Sequence, residues 1–358
     1  MLLLASHLCP RKVQKSNSDF SVSVIISAFN EEDCIAETVR NKLQQDFPQQ
    51  NLEVIVVSDG SSDKTDEIVK ELEDERITFI RQGPRQGKTA AVNLAVSHAR
   101  GDILVFSDAN SRYEANAIKE LVDNFSDPEV GYVTGKMLYT NEDGSPIGDG
   151  CTSYMRYENF LRSFESAINS IVGVDGGIDA MRRALYEPMS PDQLPDFVQP
   201  LKVAEKGHRV IYDDTAVLYE EALADNESEF RMRVRVSLRA FWALYDMRSL
   251  LNPLNFPVYS WQIISHKLLR YMAWLPVLLV LATNILLLGK GWFFQLTGLS
   301  QLMFYALVIK GHKLSSQSDV PILFSVPYYF VLVNTAAAIA FLQFIRGKKQ
   351  VLWTPRKG

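Results

Sequence analysis

Acidic and amide side chains gather where three apolar runs of the chain stop. Asn30 and Glu31 follow Val22-Ser-Val-Ile-Ile-Ser-Ala28-Phe. Asp59 and Asp63 end the run that begins at Leu52, and Asp108 and Asn110 end the one that begins at Asp102. Between the second and third, Gly83-Pro-Arg-Gln-Gly-Lys-Thr places Lys88 at a turn-to-helix junction, where an ammonium can meet an anion at a helix N-terminus. A solvated surface lysine is the plainer alternative for that residue by itself. The spacing is not that of a Walker A loop, because three residues rather than four separate Gly83 from Gly87. Farther along lie Asp175, in a glycine-rich stretch, and Asp196, in Gln193-Leu-Pro-Asp-Phe. A carboxylate held near a hydroxyl can take its proton.

The elements that must position these groups can be read from pattern. Each β-branched run is followed by apolar residues at helical spacing, the mark of βαβ units and a mostly parallel sheet with flanking helices. In such sheets the ligand lies beyond the carboxyl ends of the strands. Asn30, Glu31, Asp59, Asp63, Asp108 and Asn110 all fall there. For Asp59 the alternative is purely local, a turn and helix cap built from the Ser/Asp cluster. Helices are expected over 32–44, 63–72, 115–125 and 154–172, and strands over 77–80 and 130–139. Residues 141–146 have turn composition. Arg156, Glu158, Arg162 and Glu165 read as a solvated helix face. Asp196 opens a helix over 197–206 before a strand at 209–212, so an N-cap is its structural alternative. Asp213 and Asp214 read as turn residues.

The chain has 358 residues and a formal net charge of −5, which excludes a strongly basic nucleic-acid binder. Its three cysteines, Cys9, Cys34 and Cys151, support neither a disulfide framework nor a zinc site. Met1 to Cys9 is apolar but far shorter than the ~20 residues that cross a bilayer, and a secretory signal is not expected there. Three apolar runs, 271–288, 292–309 and 321–345, approach or exceed spanning length. The second carries Gln295, Thr297, Ser300 and Gln301 and is the least secure. Three crossings would put the basic tail opposite the first domain, against the positive-inside tendency, so an even number stays open. Arginines between Arg231 and Arg248, with Phe241, Trp242 and Tyr245, suit a helix lying on anionic lipid. The expected organisation is a lead-in over 1–20, an α/β domain over 21–228, interfacial amphipathic helices over 229–266, transmembrane helices over 267–346 and a basic tail over 347–358.

Four pieces in order, Ala28-Phe-Asn-Glu-Glu, Val57-Ser-Asp-Gly-Ser-Ser-Asp, Gly87-Lys-Thr-Ala-Ala-Val-Asn and Phe106-Ser-Asp-Ala-Asn, resemble the family 2 glycosyltransferases, inverting sugar-nucleotide enzymes of GT-A fold. The resemblance implies that Ala28, Asn30, Glu31 and Asp59 line the nucleoside site, with Lys88 near the base or phosphates. It makes Asp108 the first acid of a DxD motif that positions the sugar-nucleotide and a divalent metal, Mg²⁺ or Mn²⁺. Asn110 replaces the second acid; its amide oxygen can ligate such an ion but brings no charge. Asp196 matches the acid of the family's TED motif, with Leu-Pro in place of Thr-Glu, and becomes the general base. Asp175 is a candidate acceptor contact. Arg233 and Arg235 overlay the arginines of a QxxRW signature whose Gln and Trp are absent, and remain available to the leaving diphosphate. The implied partners are a nucleotide-sugar donor, a UDP-sugar first, a lipid or glycan acceptor, and membrane lipid around a cytoplasmic catalytic domain. Two alternatives remain: transfer to a polyprenyl phosphate, and a non-catalytic sugar-nucleotide-binding membrane protein.

Overall fold

The structure, a computed structural model, describes residues 10–17, 19–140, 150–221, 226–315 and 320–352. It divides into two compact units: residues 1–222 with 351–358, and residues 223–350.

In the first unit the sheet-forming runs become β1 (Val22–Ala28), β2 (Leu52–Asp59), β3 (Ile77–Gln82) and β4 (Ile103–Asp108). Intervening helices are α1 (Ile35–Leu43), α2 (Thr65–Lys70) and α3 (Lys88–His98). There follow β5 (Arg112–Tyr113), α4 (Ala117–Asp123), β6 (Val130–Thr140), α5 (Gly150–Ile168), β7 (Ile178–Arg182), α6 (Pro195–Glu205) and β8 (Arg209–Glu221). The eight strands form one sheet in the order β3-β2-β1-β4-β7-β6-β8-β5. β1, β2, β3 and β4 pair in parallel, as do β6 and β8. The pairings of β7 with β4 and β6, and of β5 with β8, are antiparallel. The sheet is therefore mixed, its parallel part coinciding with the βαβ runs.

Strands buried on both faces read as continuous apolar runs, and β1 is buried along its whole length. Val24, Ile26, Val54, Val56 and Val105 form a core with Ile35 and Val39 of α1 and Ile118, Leu121 and Val122 of α4. In the sheet register Asp59 lies opposite Gln82, and Asp108 opposite Ser27 one residue before the end of β1. The acids of β2 and β4 thus finish on one edge, as the strand pattern requires.

Several local expectations change. Glu158, Arg162 and Glu165 are buried (3, 4 and 1 % exposed) rather than solvated. Arg162 faces Asp175, and Glu165 Oε2 accepts from the amide of Val172 at 3.2 Å. Tertiary partners, invisible to helical spacing, took that face inward. Asp213 and Asp214 lie within β8, not after it. The pairing of β6 with β8 slips between Thr134 and Lys136, so the extra residues of β8 bulge. Asp213 there takes Lys15 Nζ at 2.7 Å and Asn124 Nδ2 at 2.6 Å. The turn expected at 141–146 lies outside the described residues, as do residues 1–9 and 353–358.

The second unit is helical: α7 (Asn226–Asp246), α8 (Pro257–Tyr271), α9 (Trp274–Leu287), α10 (Trp292–Leu314) and α11 (Ile322–Ile345). Phe241 of α7 is 4 % exposed and packs on Tyr271, Phe341 and Phe344; Trp242 meets Phe344 edge-on. Two of the three rings assigned to a lipid surface therefore join α7 to α11, and Tyr245 stays exposed. Among the described residues, α10 and α11 are each long and apolar enough to cross a bilayer. α8 and α9 reach that length only together, across a 57° bend. The run regarded as least secure is thus an unbroken helix of 23 residues, and the first run is the broken one. Thr297 is accommodated because its hydroxyl bonds the carbonyls of Phe293 and Phe294 and receives Asn284 Nδ2 at 2.6 Å.

Candidate active site

The loop after β1 is laced to the loop after β2. Asn30 adopts φ 55°, a conformation asparagine tolerates better than most residues. Its Oδ1 accepts from the amide of Ser62 at 2.8 Å, and its own amide donates to Ser61 Oγ. The amide of Glu31 donates to Thr65 Oγ1 at 2.8 Å. Asp63 accepts from the amides of Thr65 and Glu32, so its role here is to cap and tie. Ala28 is fully buried at the end of β1.

Asp59 has no exposed surface. Its Oδ1 accepts from Gln82 Nε2 at 2.6 Å and the amide of Gln86 at 2.7 Å; its Oδ2 accepts from the amide of Gly87 at 2.8 Å. This carboxylate therefore holds the turn that delivers Lys88. Gly87 has φ +98°, which only glycine enters cheaply. The Arg85 guanidinium stacks over Phe29, 3.4 Å from its centroid. Sequence reasoning had no means of finding Gln82, Arg85 or Phe29, since their link to Asp59 is spatial.

Lys88 forms an ion pair with Asp108 Oδ1. Burial works against its ammonium, but the charges of Asp108, Asp196 and Glu220 overcome it, and the pKa is raised. Lys88 is thus a held cation, not a solvated one. Behind Asp108 the loop is clamped by α1. Thr38 Oγ1 donates to the carbonyl of Ala109 at 2.6 Å and Lys42 Nζ to that of Ser111 at 2.6 Å; Asn41 exchanges bonds with the backbone of Tyr113. Asn110 is left exposed at the tip.

Asp196 arrives from the other side. Leu194 occupies the N-cap of α6 and Pro195 its first turn, so Asp196 is not the capping residue. The segment before it is stitched to α3: Thr89 Oγ1 donates to the carbonyl of Gln193 at 2.8 Å, and Asn93 Nδ2 to that of Met189 at 2.7 Å. Lys88 and Asp196 consequently line one crevice with Phe106, Tyr132, Gly176 and Asp179. Its volume, about 20 Å³, admits a water-sized group, so in this conformation a sugar ring reaches only its mouth.

Asp175 does not line this crevice. It is 4 % exposed and pairs with Arg162 Nη1 at 2.6 Å, an internal ion pair. Arg233 and Arg235 belong to the second unit, where Arg233 Nη2 donates to Tyr329 Oη at 2.8 Å.

The donor set available to a divalent ion is one carboxylate, Asp108, and one amide, Asn110. No group of three or more His, Cys, Asp or Glu able to hold a metal occurs among the described residues. Mg²⁺ is commonly held by one or two carboxylates plus substrate phosphates. The set fits an ion that shares its coordination with a diphosphate, and does not resemble a closed protein cage.

Residues 23–187 match the family model described as Glycosyl transferase family 2. Over those residues the chain is similar to that family, and its fold is of the GT-A type. "Probable glycosyltransferase YdaM" of Bacillus subtilis is 35 % identical over 231 residues, 60 % of this chain and 54 % of that protein. A poly-beta-1,6-N-acetyl-D-glucosamine synthase of Staphylococcus aureus is 25 % identical over 254 residues, 66 % of this chain and 59 % of that one. A beta-monoglucosyldiacylglycerol synthase of Trichormus variabilis is 28 % identical over 180 residues, 49 % and 38 % of the two chains. The chain therefore spans less than two thirds of the length of these relatives. In fold it is similar to the mannosyltransferase PcManGT of Pyrobaculum calidifontis, solved with GDP-Man and Mn²⁺. The TM-score is 0.71 at 21 % identity, covering 97 % of this chain and 94 % of that one.

Proposed function

We propose that this protein is a membrane-bound inverting glycosyltransferase that moves a sugar from a nucleotide-sugar donor to a lipid or glycan acceptor, with Asp196 as general base. The observation that carries the reading is Lys88: it pairs with Asp108 and shares a crevice with Asp196, so donor-side and acceptor-side acids meet at one cation.

In this reading the acceptor oxygen attacks the anomeric carbon from the Asp196 side, its proton passes to that carboxylate, and the bond to the nucleoside diphosphate breaks. Lys88 stands where negative charge grows on the departing diphosphate. A divalent ion held by Asp108 and Asn110 would supply further positive charge there. The Asp59 anchor keeps the Gln86–Lys88 turn in place beforehand, which lowers the reorganisation left for the reaction itself. Asn30 and Glu31 hold the neighbouring loop. The apolar helices α10 and α11 support membrane attachment, and relatives named for a glycan and for a glycolipid product support the acceptor class. A UDP-sugar is the first donor to try and a GDP-sugar the second, as similar folds were solved with UDP and with GDP-Man.

The test is transfer of labelled sugar from a panel of UDP- and GDP-sugars by the purified full chain, with and without EDTA. Asp196→Asn should lower kcat by about a thousandfold, within the range for loss of a general base, while donor affinity by calorimetry stays near that of the parent. A loss below about tenfold would instead fit an acceptor oxygen that is already anionic, such as a polyprenyl phosphate.

A further inference from the structure

Asp179 is an acid in the crevice that strand pattern conceals. It lies on β7, opposite Phe106 of β4 and Thr134 of β6, and is 1 % exposed. Its Oδ2 accepts from Tyr132 Oη at 3.0 Å and from the amide of Gly176 at 3.1 Å. Its Oδ1 is buried without a hydrogen-bond partner. The same side chain lines the crevice beside Lys88 and Asp196.

Gly176 is the link between the two acids. It sits at φ +82°, and a Cβ added there would stand 2.5 Å from Asp196 Oδ2. One peptide is thus clamped between carboxyl groups, its N–H given to Asp179 and its bare α-carbon pressed on Asp196.

We infer that Asp179 is a positioning residue for the base: it pins the Gly176 turn against which the Asp196 carboxylate rests, and the presence or absence of its proton changes the charge beside which Asp196 works. The inference rests on the reading of Asp196 as base.

Burial pushes the Asp179 carboxyl up to about 7; the charges of Asp175 and Asp196 act in the same direction, and the hydroxyls of Thr134 and Tyr132 oppose them. Among the described titratable neighbours, Tyr186 lines the same crevice and its phenol is pushed up by burial. Asp175 is paired with Arg162 of α5. Asp196 comes from α6 and Lys88 from α3. The phenols of Tyr132 and Tyr113 are pushed up by burial and stay neutral. Below about pH 7 Asp179 is therefore uncharged, and above it a second negative charge stands beside Asp196. A like charge strengthens the neighbouring carboxylate as a base. Turnover should accordingly climb through a step near pH 7.

The test compares the full chain with Asp179→Asn and Asp179→Ala. Asparagine can still accept from Gly176 and Tyr132 but cannot ionise. It should erase the step near pH 7 and lower kcat by about threefold at pH 8, a small part of what acid–base tuning can supply. Alanine releases the turn and should lower kcat by about a hundredfold, the scale of a 1 Å misplacement, with donor KM within about twofold of the parent. The infrared carbonyl band of a protonated carboxyl gives a readout independent of turnover. It should disappear as the parent passes about pH 7, be missing in Asp179→Asn, and titrate at lower pH in Asp196→Asn. Survival of the step in Asp179→Asn, or a parent with no band titrating near pH 7, overturns the inference whatever becomes of the base. Retained turnover in Asp196→Asn would sink the base reading and is seen separately.

Discussion

The two halves of the candidate site treat their acids in opposite ways. On the side built by β2 and β4, Asp59 is fully buried, yet both its oxygens are filled by N–H donors, and Asp108 carries Lys88. On the side built by β7 and α6, Asp179 has only neutral partners: the hydroxyls of Tyr132 and Thr134 and the amide of Gly176. Backbone donors around a carboxylate fix a loop before any ligand arrives. A buried carboxyl without a cation is instead driven toward its neutral form. One side is organised for shape, the other for proton occupancy, so substitutions on the two should separate KM from kcat.

The sharpest way to break that comparison is Gly176→Ala. The added Cβ would meet Asp196 Oδ2 at 2.5 Å, on a residue already at φ +82°. The carboxylate must move, and kcat should fall by about a hundredfold, as expected for a misplaced reacting group. Donor KM should hardly change, because the turn of Lys88 is anchored elsewhere. A rise in KM that matches the fall in kcat would show that the two sides are not independent.

Asp59→Ala probes the opposite side. It strands the amides of Gln86 and Gly87 and the side chain of Gln82, each buried or half-buried. Lost anchoring of the Lys88 turn should raise donor KM by about thirtyfold, or roughly 2 kcal/mol, the cost of leaving such donors unpaired. The effect on kcat at saturating donor should be several-fold smaller than that of Gly176→Ala. Steady-state kinetics over a donor titration decide the point.

What could be read from sequence follows the same division. β1, β2 and β4 announce themselves because strands buried on both faces are continuous apolar runs, and their terminal acids need no partner from afar to be located. The β7 and α6 side is assembled from distant pieces. Arg162 meets Asp175, and Asp179 meets Tyr132, 47 positions earlier. No periodicity reports such pairs, so Glu158, Arg162 and Glu165 looked like a wet helix face and Asp179 like nothing at all. Motif singles out Asp196, but its separation from the helix cap needed Leu194 to be seen in that place. In the second unit, composition located the apolar helices. It did not show the break at the start of the first run, or that Thr297 in the second bonds carbonyls and Asn284.

Lys42 gives the smallest and most specific refinement. It is fully buried beneath the Asp108 loop, with Nζ bonded to the Ser111 carbonyl and 3.7 Å from the centroid of the Tyr113 ring. Burial holds its pKa well below the ordinary lysine value, and the charge of Asp108 only partly opposes this. The unfolded chain takes up the proton near pH 10.4, as any solvated lysine does. Between the folded value and that pH the unfolded state binds more protons, so stability rises with pH across the window. Lys42→Met removes the rise while filling the same space with an unbranched side chain. Thermal midpoints of the full chain in detergent, taken at pH 7, 8, 9 and 10, should climb in the parent relative to the variant. Turnover should fall only about threefold, since Thr38 and Asn41 still clamp the loop when the bonds of Lys42 to the Ser111 carbonyl and to Asn41 Oδ1 are lost. Parallel pH curves for the two proteins would mean that Lys42 titrates like a surface lysine, and that the loop beneath Asp108 is wetter than its packing implies.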